Sequence, residues 1–421
     1  MRFRTKKLPN GAGLAVAEMP HVESVTLGLW LRVGGRHEGP GVGGVSHFIE
    51  HMLFKGTRQR SAREISEAVE GVGGYLNAFT AEEMTCYFAK ASAKHLPRVA
   101  DVLADMLANA TFPGAEITRE RGVIIEEIRM YEDQPQQVAM DQLNALLWPG
   151  HALGRPLAGT VEGIAKLKRA DMLAHKRRFY HAGNLWVTLA GKTSLEESEA
   201  LLWPVLKKLP KGRAARVAAP LPLAGRPRIS LTSKPIEQTH LMIGLRGVSR
   251  HDERRYALRL LNVILGENMS SRLFQVIREE HGLAYSIHSM VNYLSDCGAL
   301  LISAGVENGK AAEALALTLK TLKQLAQKGP GKVELQRAKE YTIGQIDLSL
   351  ESTTNQMIWM GENLMGHRKI FNPADVTGRV AAVTAAEIRA LAGQLTRNRN
   401  LAVAVVGPDP DEKAFRQAAR F

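Results

Sequence analysis

The sequence predicts an α+β fold written twice: two homologous domains, each a mostly antiparallel sheet covered by helices on one face. Three observations lead there. An internal repeat runs through the chain, strand-like and helix-period stretches follow the same order in both copies, and a segment with neither period lies between them.

The repeat opens with "SVTLGLWLRVGGRHE" at 24–38, which returns as "THLMIGLRGVSRHDE" at 239–253. Arg32, Arg36 and His37 recur as Arg246, Arg250 and His251 at one constant offset. Next, "GGYLNAFTAEEMTCYFAKA" (73–91) aligns loosely with "GLAYSIHSMVNYLSDCGALLISA" (282–304). Each is followed by a helix-period run, "HLPRVADVLADMLANA" and "GKAAEALALTLKTLKQL". Each copy ends on another strand, "NLWVTLAG" at 184–191 and "NLAVAVVG" at 400–407. Between the copies, "LPKGRAARVAAPLPLAGRP" (209–227) is rich in Pro, Ala and Arg and reads as a linker. The domains are therefore expected at 1–210 and 228–421, joined by residues 211–227.

With 421 residues, 45% hydrophobic and 23% charged, the chain has ordinary globular usage and length enough for two cores. No apolar run approaches the roughly 18 residues that span a bilayer. The start, "MRFRTKKLPNGAGLAVAEMP", lacks an apolar core followed by a small-residue cleavage site, so a cytoplasmic protein without a membrane partner is expected. Cys86 and Cys297 are the only cysteines, which excludes a disulfide framework and a thiolate metal cluster. Any metal must be held by His and carboxylate. The formal charge of +13 suits an acidic partner, but Lys and Arg are scattered without an aromatic-interleaved stripe, so nucleic acid is not expected.

The repeat supplies an internal control for one motif. "HFIEH" (47–51) falls opposite "LNVIL" (261–265), so His47, Glu50 and His51 face Leu261, Ile264 and Leu265. Were the polar side chains needed only to fold this unit, the second copy should keep something like them. On a helix, residues i and i+4 share a face, so His47 and His51 can aim ring nitrogens at one point. Glu50 flanks that point without having to ligate, where a carboxylate can take a proton from an attacking water and return it to a leaving amine. The arrangement H-x-x-E-H inverts the commoner H-E-x-x-H. A pair of surface histidines on an amphipathic helix is the bland alternative.

A catalytic zinc needs a third protein ligand and one open position. "AEITRERGVIIEEIRMYED" (115–133) offers one: its inward stripe at helical spacing is Ile117, Glu120, Arg121, Ile124, Glu127, Ile128 and Tyr131, with Glu126 about 100° away. Glu127 is expected as the ligand and Glu120 as an acceptor orienting a histidine. The competing reading makes both glutamates edge residues paired with arginines. His95, His151, His175, His181, His240 and His288 stand alone without ligand spacing.

Together, "SHFIEHMLFKGT", the distant glutamate in "ERGVIIEEIRMYED", "GGYLNAFT" and "HALGRPLAGT" resemble the pitrilysin/insulinase family of zinc peptidases, in its short, processing-peptidase-like branch. The likeness covers nearly the whole chain, repeat included. It implies one Zn2+ per chain on His47, His51 and Glu127, Glu50 as catalytic base and Glu120 as a supporting acid. It also implies that Asn77, Ala78, Phe79 and Thr80 bind substrate as a sheet edge, where a peptide would add as a strand; on the residues alone, a plain structural hairpin reads equally well. In the second copy, Arg278 and Tyr285 resemble the pair that family members aim at the substrate carbonyl from a C-terminal domain. In a clamshell-like arrangement the facing half of so short a chain would come from a second subunit, a homodimer or a heterodimer with a sister subunit. The resemblance thus implies a zinc endopeptidase acting on peptides or unfolded segments. The alternative is a non-catalytic or structural subunit of a processing-peptidase-like complex, against which the intact motif counts.

Overall fold

The computed structural model describes residues 3–213, 217–222 and 225–421, so part of the expected linker lies outside it. The fold is α+β, with two mixed sheets and helices packed on them. Eleven strands in the described residues make the sheets: β1 (Phe3–Lys7), β2 (Gly13–Glu18), β3 (Ser24–Leu31), β4 (Tyr75–Thr80), β5 (Thr85–Ser92), β6 (Leu185–Gly191), β7 (Arg228–Ser233), β8 (Gln238–Gly247), β9 (Ala284–Tyr293), β10 (Gly298–Glu307) and β11 (Leu401–Gly407). The first sheet runs β1-β2-β6-β3-β5-β4 and the second β7-β11-β8-β10-β9.

The repeat is visible in this order. Drop β1, and each strand of the first sheet has its counterpart in the same place in the second, with β2 and β6 parallel, β7 and β11 parallel, and every other pair antiparallel. The two repeated strands, β3 and β8, lie inside their sheets; β4 and β9 lie at the edges. In β3, Val25, Leu27, Leu29 and Leu31 point to one face and Thr26 and Trp30 to the other, all fully buried or nearly so. A strand covered on both faces needs apolar residues at nearly every position, which is why its sequence is a continuous run and not an alternation.

The compact units differ from the contiguous domains expected at 1–210 and 228–421. One gathers Met1–Arg129, Pro156–Val217 and Leu348–Phe371; the other gathers Met130–Arg155, Ala218–Asp347 and Asn372–Phe421. Each half thus gives one helix to the other half's sheet. The Pro135–Leu147 helix lays Ala139, Leu143 and Leu147 on Met242, Ala402 and Ala404 of the second sheet. The Thr353–His367 helix lays Met357, Met360 and Leu364 on Trp30, Ala15 and Ala190 of the first. Close approach fixes the second contact: a Cβ on Gly361 would stand 1.9 Å from the Trp30 indole. Periodicity identifies such a helix but not the sheet that will cover its apolar face, so sequence order was a poor guide to the unit boundaries. Among the described residues no helix is long and apolar enough to cross a membrane.

Candidate metal centre

The Val45–Leu53 helix buries Val45, Phe48, Ile49, Met52 and Leu53, which leaves His47, Glu50 and His51 half-buried on its other side. Its start is fastened twice. Glu38 accepts hydrogen bonds from the Gly44 and Ser46 N–H groups at 2.8 and 2.9 Å, placing a buried carboxylate where the free amides and the positive helix end favour one. The Ser46 hydroxyl lies 3.2 Å from His175 Nε2 on the Arg169–Phe179 helix. Gly44 is left-handed at φ 86°, and a side chain there would also strike the Ala158 carbonyl.

The Gly114–Asp133 helix supplies the facing carboxylates. Its stripe falls as the spacing predicts, with Ile117, Glu120, Ile124 and Ile128 buried and Glu127 half-buried, while Glu126 turns to solvent and pairs with Arg129 at 2.6 Å. Glu127 Oε2 lies 3.8 Å from His47 Nε2 and 3.6 Å from His51 Nε2. One ligand atom from each of the three residues lies within 4.8 Å of the others, and the two imidazole rings sit 4.7 Å apart at 72°. Tetrahedral zinc with ligands at about 2.1 Å sets its donors about 3.4 Å apart, so the three groups need only a small contraction to hold it. No other such group of three or more His, Cys, Asp or Glu side chains occurs among the described residues.

The donor chemistry fits as well as the distances. Burial, helped by His51 and opposed by Glu127, pushes the His47 imidazole down to about 4, so its ring is neutral near pH 7 with a lone pair to give. His51 Nδ1 lies 3.2 Å from Glu120, which is only 3% exposed and also pairs with Lys55 at 2.8 Å. With the Nδ1 proton donated to Glu120, the His51 Nε2 lone pair faces Glu127. Glu120 is thus paired with a lysine and a histidine, not with the arginines of the competing reading. Burial raises the Glu50 carboxyl above its usual range, against the Thr80 hydroxyl that donates to it.

Asn77, Ala78, Phe79 and Thr80 all lie on β4, the free edge of the first sheet beside the Val45–Leu53 helix. Asn77 is exposed and Phe79 packs edge-on against Trp30 at 5.6 Å. Thr80 does more than line an edge, since it holds Glu50. In the other unit, Arg278 and Tyr285 come together: the guanidinium stands 5.5 Å from the Tyr285 ring and 4.8 Å from Phe274. Tyr285 is 76% exposed, on the edge strand β9. On β10, Gly305 pairs with Ser286 and Val306 with Ala284, so Tyr285 is the extra residue of a β-bulge, a device that turns a side chain away from the ladder. The second copy's "LNVIL" remains helical and buries Leu261, Ile264 and Leu265, with a π-helical stretch at Val263–Glu267.

Sequence reasoning did not find Glu38, Lys55 or the Thr80–Glu50 bond. Lys55 carried only a weak signal, lying four positions after His51 but in the turn just past the Val45–Leu53 helix. Glu38 carried none, because the path of the loop between it and Gly44 is a tertiary outcome.

Comparison with known proteins agrees with this fold. Residues 14–161, which hold His47, Glu50, His51, Thr80, Glu120 and Glu127, match the insulinase family (peptidase family M16), and residues 166–341 match the peptidase M16 inactive domain. An uncharacterized zinc protease of Streptomyces coelicolor is 36% identical over 98% of this chain and 91% of its own length. One of Bacillus subtilis is 37% identical over 95% of this chain and 97% of its own. A crystal structure of a peptidase M16 inactive domain from Pseudomonas fluorescens shares the fold at a TM-score of 0.91, with 22% identity, over 97% of this chain and 98% of that one. The chain belongs to the insulinase family of peptidases, family M16.

Proposed function

We propose that the protein is a zinc-dependent endopeptidase that cleaves peptides or unfolded segments bound in extended form. His47, His51 and Glu127 hold the metal, Glu50 is the general base, and Glu120 fixes the tautomer and orientation of His51. The observation that carries this reading is the convergence of the two Nε2 atoms and the Glu127 carboxylate, with the raised Glu50 carboxyl on the same helix face. Zinc in that position supplies Lewis acidity, making a water acidic near neutral pH and polarising the scissile carbonyl. Glu50 takes the proton from the attacking water, and Thr80 keeps its carboxylate turned toward the β4 edge. The same carboxyl then gives the proton to the departing amine.

Arg278 and Tyr285 are the donors for the substrate carbonyl in this scheme, acting as one pair, as their 5.5 Å separation supports. The active assembly is a homodimer in which one protomer's Arg278 and Tyr285 serve its partner's metal centre. Two measurements check these points. Digestion of a peptide library should stop with a chelator and return with added zinc; digestion that persists after complete metal removal would end the metallopeptidase reading. Mixing Glu50→Gln with Arg278→Ala chains under conditions of proven subunit exchange should restore activity to roughly a quarter to a half of the wild-type level, and no recovery would rule out the shared site.

A further inference from the structure

We infer that the far end of the β4 edge carries a subsite for an acidic side chain of the bound peptide, built around Lys90. This deepens the peptidase reading above and rests on it. Running away from Thr80, β4 ends at Tyr75, about 17 Å along the strand at 3.4 Å per residue. There a cleft of about 480 Å³ opens, lined by Glu23, Ser24, Gly73, Tyr75, Lys90 and Ser92. Gly73, left-handed at φ 71°, turns the chain at its rim.

The cleft's charge is one-sided once its pairings are counted. Glu23 is engaged by Lys192 at 2.8 Å, so its carboxylate is balanced from outside. Lys90, half-buried, has no side-chain hydrogen bond or ion pair among the described residues. The Tyr75 hydroxyl accepts from the Asn77 amide and keeps its own proton to donate. What remains unsatisfied is an ammonium, a phenol O–H and the Ser92 hydroxyl, a donor set for a carboxylate.

Geometry then selects a side chain at one register position. Lys90 is the cross-strand partner of Tyr75, so both project from the same sheet face. A peptide added outside β4 would stand two strand spacings from β5, about 9.6 Å. The lysine stem and a glutamate side chain together span that gap, whereas a peptide residue one position along faces the opposite side of the sheet. The subsite therefore reads a residue about four to six positions from the scissile bond. The net charge of +13 would draw acidic peptides toward the protein generally but cannot choose a position.

The test is a set of quenched peptides in which Glu, Gln or Lys is scanned along both sides of one cleaved bond, with the zinc-loaded full chain. One position in that window is expected to favour Glu over Gln by about three- to tenfold in kcat/KM and to disfavour Lys. In Lys90→Ala the Glu/Gln ratio should fall to about one, and in Lys90→Glu the order should invert. Equal cleavage of all three peptides at every position, or a Glu preference that survives in Lys90→Ala, overturns the subsite while leaving the peptidase reading intact. No cleavage of any peptide by the zinc-loaded wild type strikes the peptidase reading instead.

Discussion

Glu50→Gln should retain its zinc and lose about 10²- to 10⁴-fold in peptide hydrolysis, the range that a positioned general base contributes. The amide has the shape of the carboxylate, so it can still accept the Thr80 hydroxyl and should leave the Val45–Leu53 helix undisturbed. What it cannot do is take a proton from water. Metal content should stay near that of the wild type, because the three converging donors come from His47, His51 and Glu127. Metal analysis beside initial rates on a cleaved peptide reads both quantities. A variant that hydrolyses as fast as the parent would remove Glu50 from the chemistry.

Glu127→Gln should fail in the opposite way, by losing the metal. A neutral amide replaces the only carboxylate among the converging donors, and two imidazoles are left to hold a divalent ion. Zinc affinity should fall further than in Glu120→Gln, where the expected loss is about 10- to 100-fold because Glu120 acts through the His51 Nδ1–H. Thermal denaturation gives an independent reading. At a zinc concentration of 100 Kd the wild type should gain about 2.7 kcal/mol from binding, and Glu127→Gln should gain almost nothing at that concentration. A variant that keeps full zinc-dependent stabilisation would show that another group completes the site.

The residues of this centre were unusually legible because they sit on two helices. A helix converts sequence spacing into direction, so spacing alone puts His47 with His51, and Glu120 with Glu127, on one face. That Glu120 reaches Lys55 as well as His51, and that Thr80 holds Glu50, depends on how the helices and the β4 edge approach each other. The Tyr285 bulge was hidden for a related reason. Strand character is local, but the residue left without an opposite number is decided by the register of the neighbouring strand.

The fold shows the same division. By itself the sequence determined that one α+β unit occurs twice and that only the first copy carries the polar helix face, since periodicity and repetition are written residue by residue. Only the tertiary structure decided that Pro135–Leu147 and Thr353–His367 each cover the other half's sheet. An apolar stripe specifies that a helix must be buried. Which surface buries it is settled by fit, as where Gly361 admits the Trp30 ring, and fit is a property of two surfaces that are distant in the chain.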